Sequence, residues 1–275
     1  MKIIISPAKK MNADTDSLPV TSLPAFLERT RVLCRAVQAL SYEEARALWK
    51  CNDRLAKLNY RRFMEMDLEG NLTPAVLSYE GLQYQHMAPR VFTRAALDYL
   101  DGHLRILSGF YGVLRPFDGV TPYRLEMQAG LSADGAGNLY DFWSSRLYEE
   151  IIRGETADKG DAGKGPIILN LASKEYSAAV SPYLKPGDRF VSCVFGQLQG
   201  GKVRQKATLA KMARGEMVRF MAERQVKELD ELREFDALGF SYAEEFSRDN
   251  ELVFLCPAKA RGEIKTGNKQ DVGRM

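Results

Sequence analysis

The chain has 275 residues, 45% of them apolar and 27% charged. Those values exclude collagen-like, disordered and disulfide-scaffold classes, and the length allows one large domain or two small ones. The net charge is +3, from 39 basic and 36 acidic side chains, and residues 257–275 carry all of it. The remaining body is neutral, so any nucleic-acid site has to come from local clustering.

In chain order, Lys2-Ile3-Ile4-Ile5 predicts a short buried strand closed by Ser6-Pro7. The stretch from Leu23 to about Met66 predicts helices, with Ser41 and Glu44 as a capping box and Asn52 as a further cap. Residues 67–75 read as a turn and Ala75–Tyr79 as a strand. Helix follows over about 89–101, with Gly102 to end it. Residues 104–130 hold three glycines and two prolines before Tyr123 and read as irregular. Helix returns at about 139–153. Residues 154–165 read as a surface loop, and 166–170 as a buried strand. A short helix is expected at about 173–182. A hairpin runs from Arg189 to Lys206 through Gly200-Gly201, a helix fills 207–224, and a last strand pair is expected at 240–243 and 251–255. Irregular interleaving of strands and helices predicts a mixed α/β fold, a mixed sheet surrounded by helices, in one domain over residues 1–256. Residues 257–275 are expected to be a basic, disordered tail.

Cys34, Cys51, Cys193 and Cys256 form no C-x-x-C pair, and with His86 and His103 as the histidines no zinc spacing exists. No metal and no cofactor is expected. No segment approaches the length of about 18 apolar residues that a membrane span needs. The expectation is a cytoplasmic protein with reduced thiols and no membrane partner. Gly160–Gly165 lacks the spacing of a phosphate loop.

Four places carry candidate chemistry. Ser108–Pro116 and Pro122–Met127 are dense in polar residues. Gly109 and Gly112 can let backbone approach a ligand, Arg115 and Arg124 can pair with phosphate, and Tyr111 or Tyr123 can stack on a base. Alternatively, Glu126 pairs with an arginine inside an irregular turn. Asn170 ends a strand just before Ser173 starts a helix, either as an anion site or as plain capping. Lys202 to Arg219 holds six basic residues against one acid, Lys206, Lys211 and Arg214 among them. On that helix Leu209, Ala213, Met217 and Phe220 form the expected core stripe. Thr208, Lys211, Gly215 and Ala222 make an opposite face that a phosphate or another helix could approach. Lys9 follows Pro7, which aims it at the strand's carboxyl end, as a solvated side chain or a nucleophile.

These segments together resemble the YaaA family of bacterial peroxide-stress proteins. The residues that carry the resemblance are Ile5–Lys9, Tyr79–Leu82, Ile106–Gly112, Pro122–Met127, Leu139–Trp143, Asn170–Tyr176 and Ala210–Gly215. The resemblance implies a fold peculiar to the family with a basic cleft, and a cytoplasmic protein of the peroxide response that limits damage from intracellular iron. It also implies a helix-hairpin-helix element that binds double-stranded or branched DNA. The chain offers two places for that element: around Ser108–Gly112, or among the helices from Leu23 to Met66. The expected DNA contacts are Gly109, Gly112, Arg115, Tyr123, Arg124, Asn170, Ser173, Lys206, Lys211 and Arg214. The alternative is an enzyme acting on DNA or a nucleotide, lyase- or glycosylase-like, with Lys9 as nucleophile and Glu126 or Glu175 in acid–base work.

Overall fold

A computed structural model describes residues 1–155 and 165–257. The glycine-rich loop and the basic tail expected from sequence thus lie almost wholly outside the described residues. The strands are β1 (Lys2–Ile5), β2 (Lys10–Met11), β3 (Thr73–Pro74), β4 (Tyr79–Glu80), β5 (Leu104–Ser108), β6 (Gly112–Leu114), β7 (Gly119–Val120), β8 (Ile167–Leu171), β9 (Arg189–Gln199), β10 (Lys202–Arg204), β11 (Ser241–Tyr242) and β12 (Glu251–Leu255). The helices are α1 (Leu27–Gln38), α2 (Tyr42–Trp49), α3 (Asp53–Met64), α4 (Ala75–Ser78), α5 (Leu82–Met87), α6 (Arg94–His103), α7 (Leu139–Trp143), α8 (Arg146–Ile151), α9 (Lys174–Ser177) and α10 (Ala207–Arg224).

The fold is mixed α/β. An eight-stranded sheet runs in the order β11-β12-β9-β8-β1-β5-β6, with β10 paired to β9. The five strands from β12 to β5 are mutually parallel, and β6, β10 and β11 join them antiparallel. Ile3, Ile4 and Ile5 on the central strand are each 0% exposed. A parallel strand covered on both faces reads as this kind of unbroken β-branched run. α6 packs on β1 and β5, and α10 packs on β9, α5 and α6. No helix among the described residues is long and apolar enough to cross a membrane.

The capping box of Ser41 with Glu44 and the Asn52 cap form as the sequence predicts. Helix 207–224 and strand 251–255 keep their expected bounds. Four expectations are corrected. Ala75–Ser78 is helical, not extended: all four residues are buried, and an apolar run covered on all sides loses the periodicity that separates the two states. The first amides of that turn donate to Asp118 and Pro116 carbonyls. Residues 104–114 are not irregular but a hairpin of β5 and β6, whose turn Ser108 holds by accepting from the amides of Phe110 and Tyr111. The 139–153 helix breaks into α7 and α8 at Ser144, where φ is 45°. Gly102 lies inside α6, which ends at His103.

Candidate functional site

β1 is where the strand order reverses: the chain adds β5 and β6 on one side of it, then returns to add β8 and β9 on the other. A crevice opens at the carboxyl end of parallel strands at such a point. Here it is a cleft of about 470 Å³, within the range of small-molecule sites. Its floor comes from Ser6 to Lys10 after β1 and from Ser173, Glu175 and Tyr176 after β8. The Ser6 hydroxyl ties these two strand ends together: it accepts from the Ser173 amide at 2.8 Å and donates to the Ser173 hydroxyl at 3.2 Å. Tyr84 on α5 donates to the Ser6 carbonyl at 2.9 Å.

Charges meet across the cleft. Lys9 Nζ lies 3.3 Å from Glu126 Oε1, and Arg124 Nη2 donates to the same oxygen at 2.9 Å. The Arg124 side chain is only 9% exposed, and its Nε is buried with no acceptor among the described residues. Lys10 pairs with Glu80 at 2.7 Å across β2 and β4. Lys10 and a close contact from Asn12 hold the Glu80 carboxyl below its usual range. The Glu175 carboxylate accepts from the Gln128 amide at 3.3 Å. α10 brings Lys211 and Arg214 to the lining of the same cleft. Neither forms a hydrogen bond or ion pair with another described residue. Arg214 Nε is buried with no acceptor among the described residues, and burial pulls its guanidinium below the usual arginine value. An arginine remains charged even so.

Eight of the sequence candidates therefore line one cleft: Lys9, Tyr123, Arg124, Glu126, Ser173, Glu175, Lys211 and Arg214. Five do not. Arg115 follows β6, which runs antiparallel to β5, so Leu114 pairs with Ile106 and Arg115 comes level with Arg105 at the amino end of the sheet. There it borders a smaller cavity with Ser22, Asp118 and Glu150. Asn170 is turned into the protein: its amide nitrogen donates to Ser192 at 3.1 Å and its oxygen accepts from Ala172 at 3.0 Å. A Cβ on Gly109 would sit 2.6 Å from the Leu125 carbonyl, and one on Gly112 2.8 Å from the Trp143 ring. The close approach these glycines permit is thus to the chain itself. Lys206 is exposed at the start of α10.

Tyr123 reaches the cleft but is 4% exposed. Its hydroxyl bonds Ser108 at 2.5 Å and Tyr79 at 2.8 Å, and burial pushes its pKa up to about 12. Its ring packs between Phe110, Tyr111 and Tyr79 rather than lying open to a base. The small face of α10 meets a helix: a Cβ on Gly215 would lie 2.2 Å from the Gln83 carbonyl of α5. Of the two places for a helix-hairpin-helix element, Ser108–Gly112 joins two strands, whereas Lys50–Asn52 joins α2 to α3. Sequence reasoning did not select Ser6, Lys10, Glu80, Tyr84 or Tyr176 as site residues. Tyr79–Leu82 is among the segments that carry the family resemblance, but only the pairing of β2 with β4 brings Glu80 to Lys10.

A sequence profile for a family described as peroxide stress protein YaaA matches residues 1–246. A UPF0246 protein of Desulfitobacterium hafniense (strain Y51) is 52% identical over 255 residues, covering 93% of this chain and 98% of its own. Another from Pediococcus pentosaceus is 50% identical over 255 residues, with 93% and 98% covered. A third, from Lachnoclostridium phytofermentans, is 51% identical over 255 residues, with 93% and 96% covered.

Proposed function

This chain belongs to the peroxide stress protein YaaA family, and from that premise we propose that it acts in oxidative stress by binding double-stranded or branched DNA, with a backbone phosphate seated in the cleft. The observation that carries the reading is Arg214. It is partly buried, its buried Nε has no acceptor among the described residues, and it lines the cleft with Lys211, which forms no ion pair among those residues. A buried charge without a partner is costly, and an anion in the cleft relieves that cost. A phosphate oxygen matches a guanidinium in charge and geometry. Facing cations Lys9 and Arg124 are held in place by Glu126.

The link to iron damage follows from the same contacts. Lys and Arg side chains that bind DNA release the cations condensed on its phosphates. Where those include ferrous iron, their release removes the source of hydroxyl radical beside the sugar. Protection of DNA then needs no metal site on the protein.

The test is a salt titration of binding to a linear duplex and a forked duplex, for the parent protein and for Lys211→Ala with Arg214→Met. Contacts with several phosphates make log K fall linearly with log salt, and losing two lowers the slope by roughly 1.8 units. Met fills the space of the arginine stem without its charge, so the double variant is expected to melt no lower than the parent. An unchanged slope in a folded variant removes the reading.

A further inference from the structure

We propose that Lys9 and Glu126 form an amine–carboxylate pair that condenses with the aldehyde of a base-free deoxyribose in DNA and cleaves the strand on its 3′ side. The inference rests on the DNA-binding reading and adds a reaction to it. Three features of the cleft lead there. Lys9 stands at the carboxyl end of the central strand just after Pro7, with its side chain 67% exposed, so the amine is reachable. Glu126 is 13% exposed and places Oε1 3.3 Å from that amine, within reach of its proton. Arg124, itself 9% exposed, fixes the same oxygen from the other side at 2.9 Å. Lysine amines act as covalent catalysts on carbonyl groups. Oxidation of DNA supplies a carbonyl of this kind, because a deoxyribose that has lost its base opens to a C1′ aldehyde.

The steps balance without an outside oxidant or reductant. The Lys9 ammonium gives a proton to Glu126, and the free amine adds to C1′ of the aldehyde. The carbinolamine loses water, protonated by the Glu126 carboxyl, and a protonated imine remains. A carboxylate of the cleft, Glu126 or Glu175, then takes a proton from C2′. The C2′–H electron pair forms the C2′=C3′ bond, the C3′–O bond breaks, and the phosphate leaves with the electron pair of that oxygen. Arg214 and Lys211, which line the same cleft, are the cations that receive it. Water finally hydrolyses the imine and restores the amine. Glu80 is less suited to this work, since Lys10 and Asn12 already occupy both its oxygens.

The experiment mixes the protein with an end-labelled duplex containing one abasic site, with and without sodium cyanoborohydride, which reduces the imine to a stable secondary amine. The expected result is a covalent protein–DNA band with reductant, mapped by mass to the Lys9 peptide, and strand cleavage without it. Lys9→Arg keeps the charge and loses the band. Glu126→Gln slows cleavage by about a hundredfold, the lower end of acid–base contributions. Lys57→Arg, on the exposed face of α3, changes neither. Anisotropy on an intact duplex is read in parallel. DNA binding without a trapped band, or a band that survives Lys9→Arg, overturns the pair and leaves the binding reading standing. Absence of binding to any DNA at low salt overturns both.

Discussion

His103 shows how one side chain reports its surroundings. Its ring stacks on Tyr99 with centroids 4.3 Å apart, and Nδ1 lies 2.8 Å from the Met1 carbonyl, to which it donates as the neutral tautomer. Burial lowers its pKa from the usual 6.5. Below that value the unfolded chain takes up a proton more readily than the native one. The stabilising contribution is therefore full above about pH 6.5 and is lost as pH falls through the lower native value. The melting temperature is expected to drop between about pH 7 and pH 5, and His103→Gln to flatten that part of the curve. Comparing the two proteins isolates His103 from Asp118, whose burial shifts its pKa upward and acts with the opposite sign. A slope unchanged by the substitution would assign it to other groups. Single residues were also where the sequence was most informative about the site. Lys9 follows a strand, Arg124 and Glu126 lie in an irregular polar segment and Lys211 in a basic helix, and all four meet in the cleft. Arg115 is as polar and as close to glycine and proline, yet an antiparallel edge strand carries it to the opposite end of the sheet. Strand direction is a property of the whole sheet and leaves no mark on the residue itself.

At the scale of elements, α5 and α10 set the width of the cleft. α5 supplies Tyr84 and α10 supplies Lys211 and Arg214, and Gly215 lets the two helices touch. Gly215→Ala raises helix propensity by about 1 kcal/mol. It also forces a methyl group to within 2.2 Å of the Gln83 carbonyl, an overpacking that costs up to about 3 kcal/mol. A net loss of about 2 kcal/mol is expected in denaturant melts, together with weaker DNA binding as the helices separate. Gly102→Ala on α6 is the matched comparison. Nothing lies within 4 Å of the position its methyl group would take, so the propensity gain stands and the protein gains up to about 1 kcal/mol. Equal effects at both positions would mean that contact between the helices does not govern Gly215. Caps, hairpin glycines and long helices were legible because their signals are local. α4 and β5 were not: α4 is too short and too buried to show a period, and β5 is framed by glycines that suggested a loop.

For the molecule as a whole, charge is distributed unevenly about the sheet. β9 runs parallel to β8, with Ser192 level with Asn170, and continues seven residues further to Gln199. At about 3.3 Å per residue this carries the β9–β10 hairpin roughly 20 Å past the carboxyl edge, the edge on which the cleft opens. Lys202, Arg204 and Lys206 are exposed on it or just after it. Replacing all three by alanine is expected to reduce the salt slope of duplex binding by roughly 2.7 units, at about 0.9 per phosphate. Exposed side chains of this kind shift stability by under about 0.5 kcal/mol each, and Lys206 makes no side-chain cap on α10. Salt-titrated anisotropy and thermal melts on one preparation check both halves. An unchanged slope would confine the DNA to the cleft. The mixed α/β class followed from the spacing of the apolar runs, but the strand order did not. Which strands become neighbours depends on pairings such as Ile3 with Leu169, far apart in the chain.

That same pairing has a consequence for synthesis on the ribosome. β1 precedes both of its neighbours, Ile3 pairing with Leu104 on one side and Leu169 on the other. At ~5–20 residues per second, delivering the second partner takes roughly ten to thirty seconds. Until β5 follows, three consecutive isoleucines have both backbone edges unmet, and until β8 follows one edge stays open, the condition in which β-branched segments seek strands on other chains. The strand at the centre of the finished sheet is therefore a segment of the nascent polypeptide that a chaperone would shield, and codons that slow translation between β5 and β8 lengthen the exposure of its second edge without altering the native fold.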